Sequence, residues 1–148
     1  MRGVAVHTRL IFTVAGACFA TLVGALPAHA HHAFSAEFDA NKPVLFEKAT
    51  ITKVEWINPH SWLHVNVLLP DGTTEAWKIE AGTPNVLFRR GFTKEALLPG
   101  TVIRIDGYRA KDGSHRANGR DLTLADGRTL FFGSTGTPGA PGEEKAPQ

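Results

Sequence analysis

From Val44 to Phe132 the chain consists of short runs rich in Val, Ile, Leu, Trp and Phe, each cut off by a turn signal, and no other feature narrows the possible folds as much. VLFEKATITKVEWI is followed by NPH, SWLHVNVLL by PDGT, TVIRIDGYRA by KDGSH, and DLTLA by DGR before TLFF. Runs of this length and composition suit strands. One segment departs from the pattern: after TEAWKIEA, Thr83 can cap a helix, Pro84 fits its first turn and Gly91 can end NVLFRR. A shorter turn, TKEALL, precedes Pro99 and Gly100.

Three strands, a helix and then two or more strands is the element order of an OB-type barrel, whose helix sits between the third and fourth strands. The sequence therefore predicts an all-β fold with one short helix, a small OB-like Greek-key barrel of five to six strands. A small open sandwich is the alternative use of the same segments. Alternation assigns the faces: Leu63, Val65, Val67 and Leu69 share one side of the second strand, and Trp62, His64 and Asn66 the other. Trp77 and Ile79 alternate with Lys78 and Glu80, which places Trp77 in the core, and Ile103 and Ile105 point inward from the fourth strand. The alternation lapses between Glu47 and Thr50, which predicts a bulge that bends one long strand into both halves of the barrel.

Before the first strand, Arg2 and Arg9, the apolar run LIFTVAGACFATLVGAL and the small residues Ala28 and Ala30 read as a secretory signal peptide over residues 1–30, cut after Ala30. The protein is expected to be periplasmic or secreted, with no stable membrane anchor after cleavage, because a 17-residue run without a following Lys/Arg cluster is marginal for a span. Cys18 has Ala15 rather than Leu at its −3 position, which disfavours a lipoprotein. The expected organisation is a signal peptide at 1–30, an N-terminal arm at 31–43, the barrel at 44–133 and a disordered Gly/Pro-rich tail at 134–148.

Removing the signal changes the charge balance. The chain carries 16 Lys+Arg and 14 Asp+Glu; without Arg2 and Arg9, 14 of each remain. A neutral mature chain offers no basic field for nucleic acid or anionic membrane. It also contains no cysteine, so any metal site must use nitrogen and oxygen ligands.

Cleavage after Ala30 would make His31 the terminal residue and give it two nitrogens, its α-amine and its imidazole. An amine with two imidazoles favours Cu(II), ahead of Zn(II) or Ni(II). His32, His60 and His64 supply further imidazoles, and Glu37 and Asp39 are possible oxygen ligands. In an extended strand His60 and His64 would stand roughly 13 Å apart, too far to share one ion unless Pro59 bends the chain. The favoured set is His31 with His60 or His64, and His32 as substitute or third ligand. The arrangement resembles the histidine brace of certain periplasmic copper carriers and copper oxygenases. A cut after Ala28 would instead create His29-Ala30-His31, also suited to Cu(II).

The motifs HHAFSAEFD, KP, VEWINPHSW, PN with Arg-Arg-Gly, LPG, the KDGS turn and DGR follow one another over about residues 31–133. In this the chain resembles a family of small secreted, largely proteobacterial proteins classed as a domain of unknown function. The resemblance implies an exported all-β protein built around HHAF and NPHSW, and implies no activity.

No nucleophile elbow, H-E-x-x-H pair or phosphate-cradling Gly loop is present, so the protein is not expected to be an enzyme. Ser61 follows His60 directly, and neighbours on a strand point to opposite faces. The leading expectation is a non-enzymatic metal-binding module whose only cofactor is copper. The alternatives are a metal-free OB-like binder of a small ligand or envelope partner through Trp56, Asn58, Pro59 and Trp62, or a structural envelope protein.

Overall fold

A computed structural model describes residues 34–141. The expected signal peptide, His31, His32 and Ala33, and the last seven residues lie outside the described residues. One helical turn at 34–37 leads into β1 (Phe38–Glu55), followed by β2 (Trp62–Leu68), β3 (Thr74–Glu80), α1 (Pro84–Arg89), a 3-10 turn (Glu95–Leu97), β4 (Val102–Ala110), β5 (Arg116–Thr123) and β6 (Thr129–Phe131). The sheet order is β3-β2-β1-β4-β5-β6, and β3 also pairs with β5. Five strands therefore close into a ring, β1-β2-β3-β5-β4, with β6 added outside it. Every neighbour in the ring is antiparallel except β3 and β5, which run parallel through Lys78 opposite Arg116, Ile79 opposite Ala117 and Glu80 opposite Asn118. The fold is all-β with a short helix, arranged as an OB-like Greek key.

β1 can serve both halves of the ring because it is 18 residues long and irregular. It pairs with β4 from Phe38 to Thr50 and with β2 from Ala49 to Glu55, and its register against β4 shifts between Phe46 and Ala49, where the apolar alternation lapses. Its beginning corrects the expected boundary of the arm. Residues 38–43, expected to belong to the arm, are the first third of β1, with Phe38 opposite Ala110 and Pro43 opposite Tyr108. Phe38 is buried with Phe34 and Ala110 in a small cluster of their own, against which Tyr108 packs.

The main core fills the ring. Leu63, Val65 and Val67 of β2, Trp77 and Ile79 of β3, and Ile103 and Ile105 of β4 are all buried in it, as alternation requires. Each such aliphatic side chain contributes about 1.5–3 kcal/mol of burial free energy. α1 closes one end. Thr83 Oγ1 accepts from Val86 N–H at 3.4 Å, Pro84 occupies the first turn, Leu87 is buried, and Gly91 follows with φ +98°, a conformation that favours glycine.

The chain beyond the last strand overturns a second expectation. Residues 134–140, predicted to begin a disordered tail, pack onto the outside of β5. Thr137 and Ala140 are buried, Thr137 N–H donates to Ser134 O at 3.1 Å, and Thr137 Oγ1 donates to Asn118 Oδ1 at 2.7 Å. Gly133 makes this possible, since a Cβ there would stand 2.6 Å from Thr137 Oγ1. Arg90 secures the start of the segment by donating to Gly133 O at 2.6 Å. A Gly/Pro-rich composition hid a segment held by one buried hydroxyl and a few backbone bonds rather than by apolar surface.

Candidate functional site

The connection between β1 and β2, residues 56–61, and the end of β3 meet on the outer side of the ring. Ser61 N–H donates to Gly82 O at 3.0 Å and Ala81 N–H to Ser61 O at 2.9 Å, so the loop is zipped to the chain just after β3. Asn58 and Pro59, joined by a cis peptide bond, are exposed at the tip of the loop. His60 comes down beside β3. Its Nδ1 lies 3.3 Å from Ala81 O and 3.7 Å from Glu80 Oε1.

Glu80 follows the inward-facing Ile79, so its side chain leaves the core and faces outward, as alternation predicted. It is nonetheless only 8 % exposed. β5 lies alongside, and Asn118 Nδ2, itself fully buried, donates to Glu80 Oε1 at 3.3 Å. Thr137 then donates to Asn118, which makes a continuous buried chain from Thr137 through Asn118 to Glu80. Burial pushes the Glu80 carboxyl above the ordinary carboxylate range and the charge of Glu37 adds to the effect, while His60, Asn118 and Arg116 oppose it.

Around this carboxyl stand an aromatic ring and two cations. Trp62 lies opposite Glu80 across β2 and β3, with Lys78 Nζ 4.3 Å from its ring centroid and the Arg116 guanidinium at 5.8 Å. Arg116 also pairs with Glu37 of the N-terminal turn and lies 3.9 Å from Asp112. That turn is docked. Lys111 N–H donates to Glu37 O at 2.9 Å, Lys111 Nζ donates to Ser35 O, and Phe34 meets Tyr108 edge to face at 5.4 Å. The chain from Phe34 to Glu37 is thus fastened to the end of β4 and the β4–β5 loop, next to the arginine that flanks Trp62.

The other residues singled out by sequence are dispersed. His64 faces β1: its Nε2 lies 3.4 Å from Glu55 Oε2, and Glu55 is also paired with Lys53. Both contacts hold the Glu55 carboxyl below its ordinary range, Lys53 more strongly. His115 stacks on Trp77 at 5.0 Å and lies 3.9 Å from Glu75. Asp39 faces Lys42 at 3.7 Å. Trp56 and Trp62 do not form one surface, because Trp56 packs against Phe88 of α1 at 4.9 Å and against the main core, whereas Trp62 faces outward. Among the described residues, no three His, Cys, Asp or Glu side chains are grouped to hold a metal ion, and no helix is long and apolar enough to cross a membrane.

Sequence reasoning missed Glu80, Asn118 and Arg116 as members of this cluster. Local alternation marks Glu80 as a solvent-facing strand residue, and what covers it comes from positions 38 and 57 residues further on, beyond the reach of any local pattern. The chain belongs to the DUF6152 family, a family of unknown function, which it matches over residues 20–119. That span holds His31, His32, the NPHSW loop, Glu80, Arg116 and Asn118, and ends before Thr137. No curated protein and no solved structure matches the chain.

Proposed function

We propose that the protein is an exported, non-enzymatic module that binds Cu(II) at its mature N-terminus. His31 supplies amine and imidazole, and His60 or His64 supplies a further imidazole, with His32 as substitute. The observation that carries the proposal is the docking of the chain from Phe34 onward through Phe34, Ser35 and Glu37 onto the end of the ring that bears Arg116, Trp62 and Glu80. His31 precedes Phe34 by three residues, so at most about 10 Å of chain separates the terminal chelator from the docked turn. Tethering of this kind raises the effective concentration of the second imidazole.

Mature protein beginning at His31 is expected to bind Cu(II) at least about tenfold more tightly than protein with one extra residue before it, because that residue turns the amine into an amide. Equal affinity in a competition titration overturns the terminal site. A metal-free second reading has its own support in Trp62, which faces outward beneath Lys78 and Arg116 and offers a stacking surface for a small anionic ligand. In that case Trp62→Ala abolishes ligand binding, and replacing His31 and His32 leaves it intact.

A further inference from the structure

Across the outer face of the ring the strand register lines up four basic residues in one row. Lys53 of β1 stands opposite His64 of β2, His64 opposite Lys78 of β3, and Lys78 opposite Arg116 of β5. His64 and Lys78 each sit between two buried residues, Arg116 precedes buried Ala117, and Lys53 precedes Val54, which packs against the core, so all four side chains leave the core. Neighbouring strands are about 4.8 Å apart, which makes the row about 14 Å long. Like charges facing each other across strands are destabilising. Acidic side chains relieve that repulsion at three of the four positions: Glu55 pairs with Lys53 and lies 3.4 Å from His64 Nε2, and Glu37 pairs with Arg116. Lys78 has no carboxylate within 4 Å among the described residues, and its ammonium rests instead 4.3 Å from the centroid of the Trp62 ring in the adjoining row. Beyond Arg116 the row opens into a cleft of about 400 Å³ lined by Ala36, Glu37, Lys111, Asp112 and Arg116.

Resting on the metal-free reading of Trp62 as a stacking surface for an anionic ligand, we infer that this row binds an acidic oligosaccharide, a short chain of uronic-acid sugars. The unneutralised charge of Lys78 takes a sugar carboxylate. A lysine stem is flexible, so that carboxylate draws the ammonium off the indole and leaves the ring face to the C–H face of the sugar, which its negative quadrupole attracts. Arg116 and Lys111 continue the line of cations into the cleft, where the next sugars of the chain lie. The carboxylates of Glu55, Glu37 and Asp112 decide between this ligand and a strand of nucleic acid. They stand among the cations and accept hydrogen bonds from sugar hydroxyls, whereas a phosphodiester backbone offers them no donor and is repelled. A row of cations interleaved with carboxylates beside an outward-facing indole thus suits a ligand that carries both carboxylates and hydroxyls, and it is a local arrangement that a formally neutral chain can hold.

The test titrates mature protein beginning at His31 with trimers of galacturonate, glucuronate and mannuronate. Binding is followed at the Trp62 indole N–H in proton–nitrogen correlation spectra, with Trp62→Ala assigning the signal. At least one trimer is expected to shift that signal at submillimolar concentration, and to bind at least about tenfold more weakly as its methyl ester, which keeps the rings and removes the charge. Lys78→Gln is expected to weaken the trimer about tenfold with Tm unchanged, Lys78→Arg to retain it, and Lys94→Gln, an exposed lysine outside the row, to stay within about twofold of wild type. No shift with any trimer, equal binding of the ester, or wild-type affinity in Lys78→Gln overturns the inference. Tighter binding of a single-stranded hexanucleotide than of any trimer does so too, and makes the row a nucleic-acid face. The underlying reading fails separately: if the trimers leave Trp62 unmoved while adenosine monophosphate shifts it, the anionic-ligand reading stands and the oligosaccharide is wrong, and if neither shifts it, both fall.

Discussion

Replacing Thr137 by valine exchanges a hydroxyl for a methyl group of nearly the same size, and so isolates one hydrogen bond. Thr137 Oγ1 donates to Asn118 Oδ1 at 2.7 Å, and neither residue has any exposed surface, so no water stands ready to replace the lost donor. An acceptor left unsatisfied in such a place costs about 1–3 kcal/mol. For the 118 residues that follow Ala30 the unfolding entropy near the midpoint is about 0.25 kcal/mol per kelvin, so Thr137→Val should lower Tm by about 4–12 °C. Thermal unfolding followed by far-ultraviolet circular dichroism measures this directly, with Thr135→Val at an exposed neighbouring position as the control that stays within about 1 °C. If the two variants melt together with the wild type, residues 134–140 do not seal the outer side of β5, and the buried chain from Thr137 to Glu80 is wrong.

Two further outcomes follow from the same region. Because the folded protein holds a proton on Glu80 to higher pH than the unfolded chain does, the stability this group contributes is full below the ordinary carboxylate range and is lost as pH rises through the raised value. The Tm of Glu80→Gln minus that of wild type should therefore increase between about pH 4 and pH 7, and a constant difference contradicts the burial argument. Trp56→Ala, which strips a partner from Phe88 and the core, should cost about 2–4 kcal/mol in urea unfolding, and Trp62→Ala under about 1 kcal/mol. Equal costs would mean that the two rings are not divided between core and outer face.

What could be read from the sequence was whatever depended on neighbours in the chain. The buried face of β2, the Thr83 cap and Pro84 start of α1, and the irregularity in β1 each announce themselves within a few residues. The start of β1 did not, because Asp39 to Pro43 is polar and becomes a strand only through pairing with β4. Nor did the packing of 134–140, whose anchor is one hydroxyl meeting an asparagine 19 residues earlier. In the candidate site, His60 was visible through its place in the NPH turn. Its buried partner was not, since Glu80 differs from a solvent-facing strand glutamate only in what the parallel β5 and the C-terminal segment lay over it.

The parallel contact between β3 and β5 is the seam at which the ring closes, and it can form only once β5 is present. A chain delivered N-terminus first holds β1, β2, β3 and β4 before Arg116 arrives, so until then one flank each of β3 and β4 displays unpaired peptide groups. Such flanks invite pairing with another chain. The eight residues of β5 thus act as a zip fastener that takes a sticky open ribbon out of circulation, and any truncation that removes them leaves a species prone to self-association.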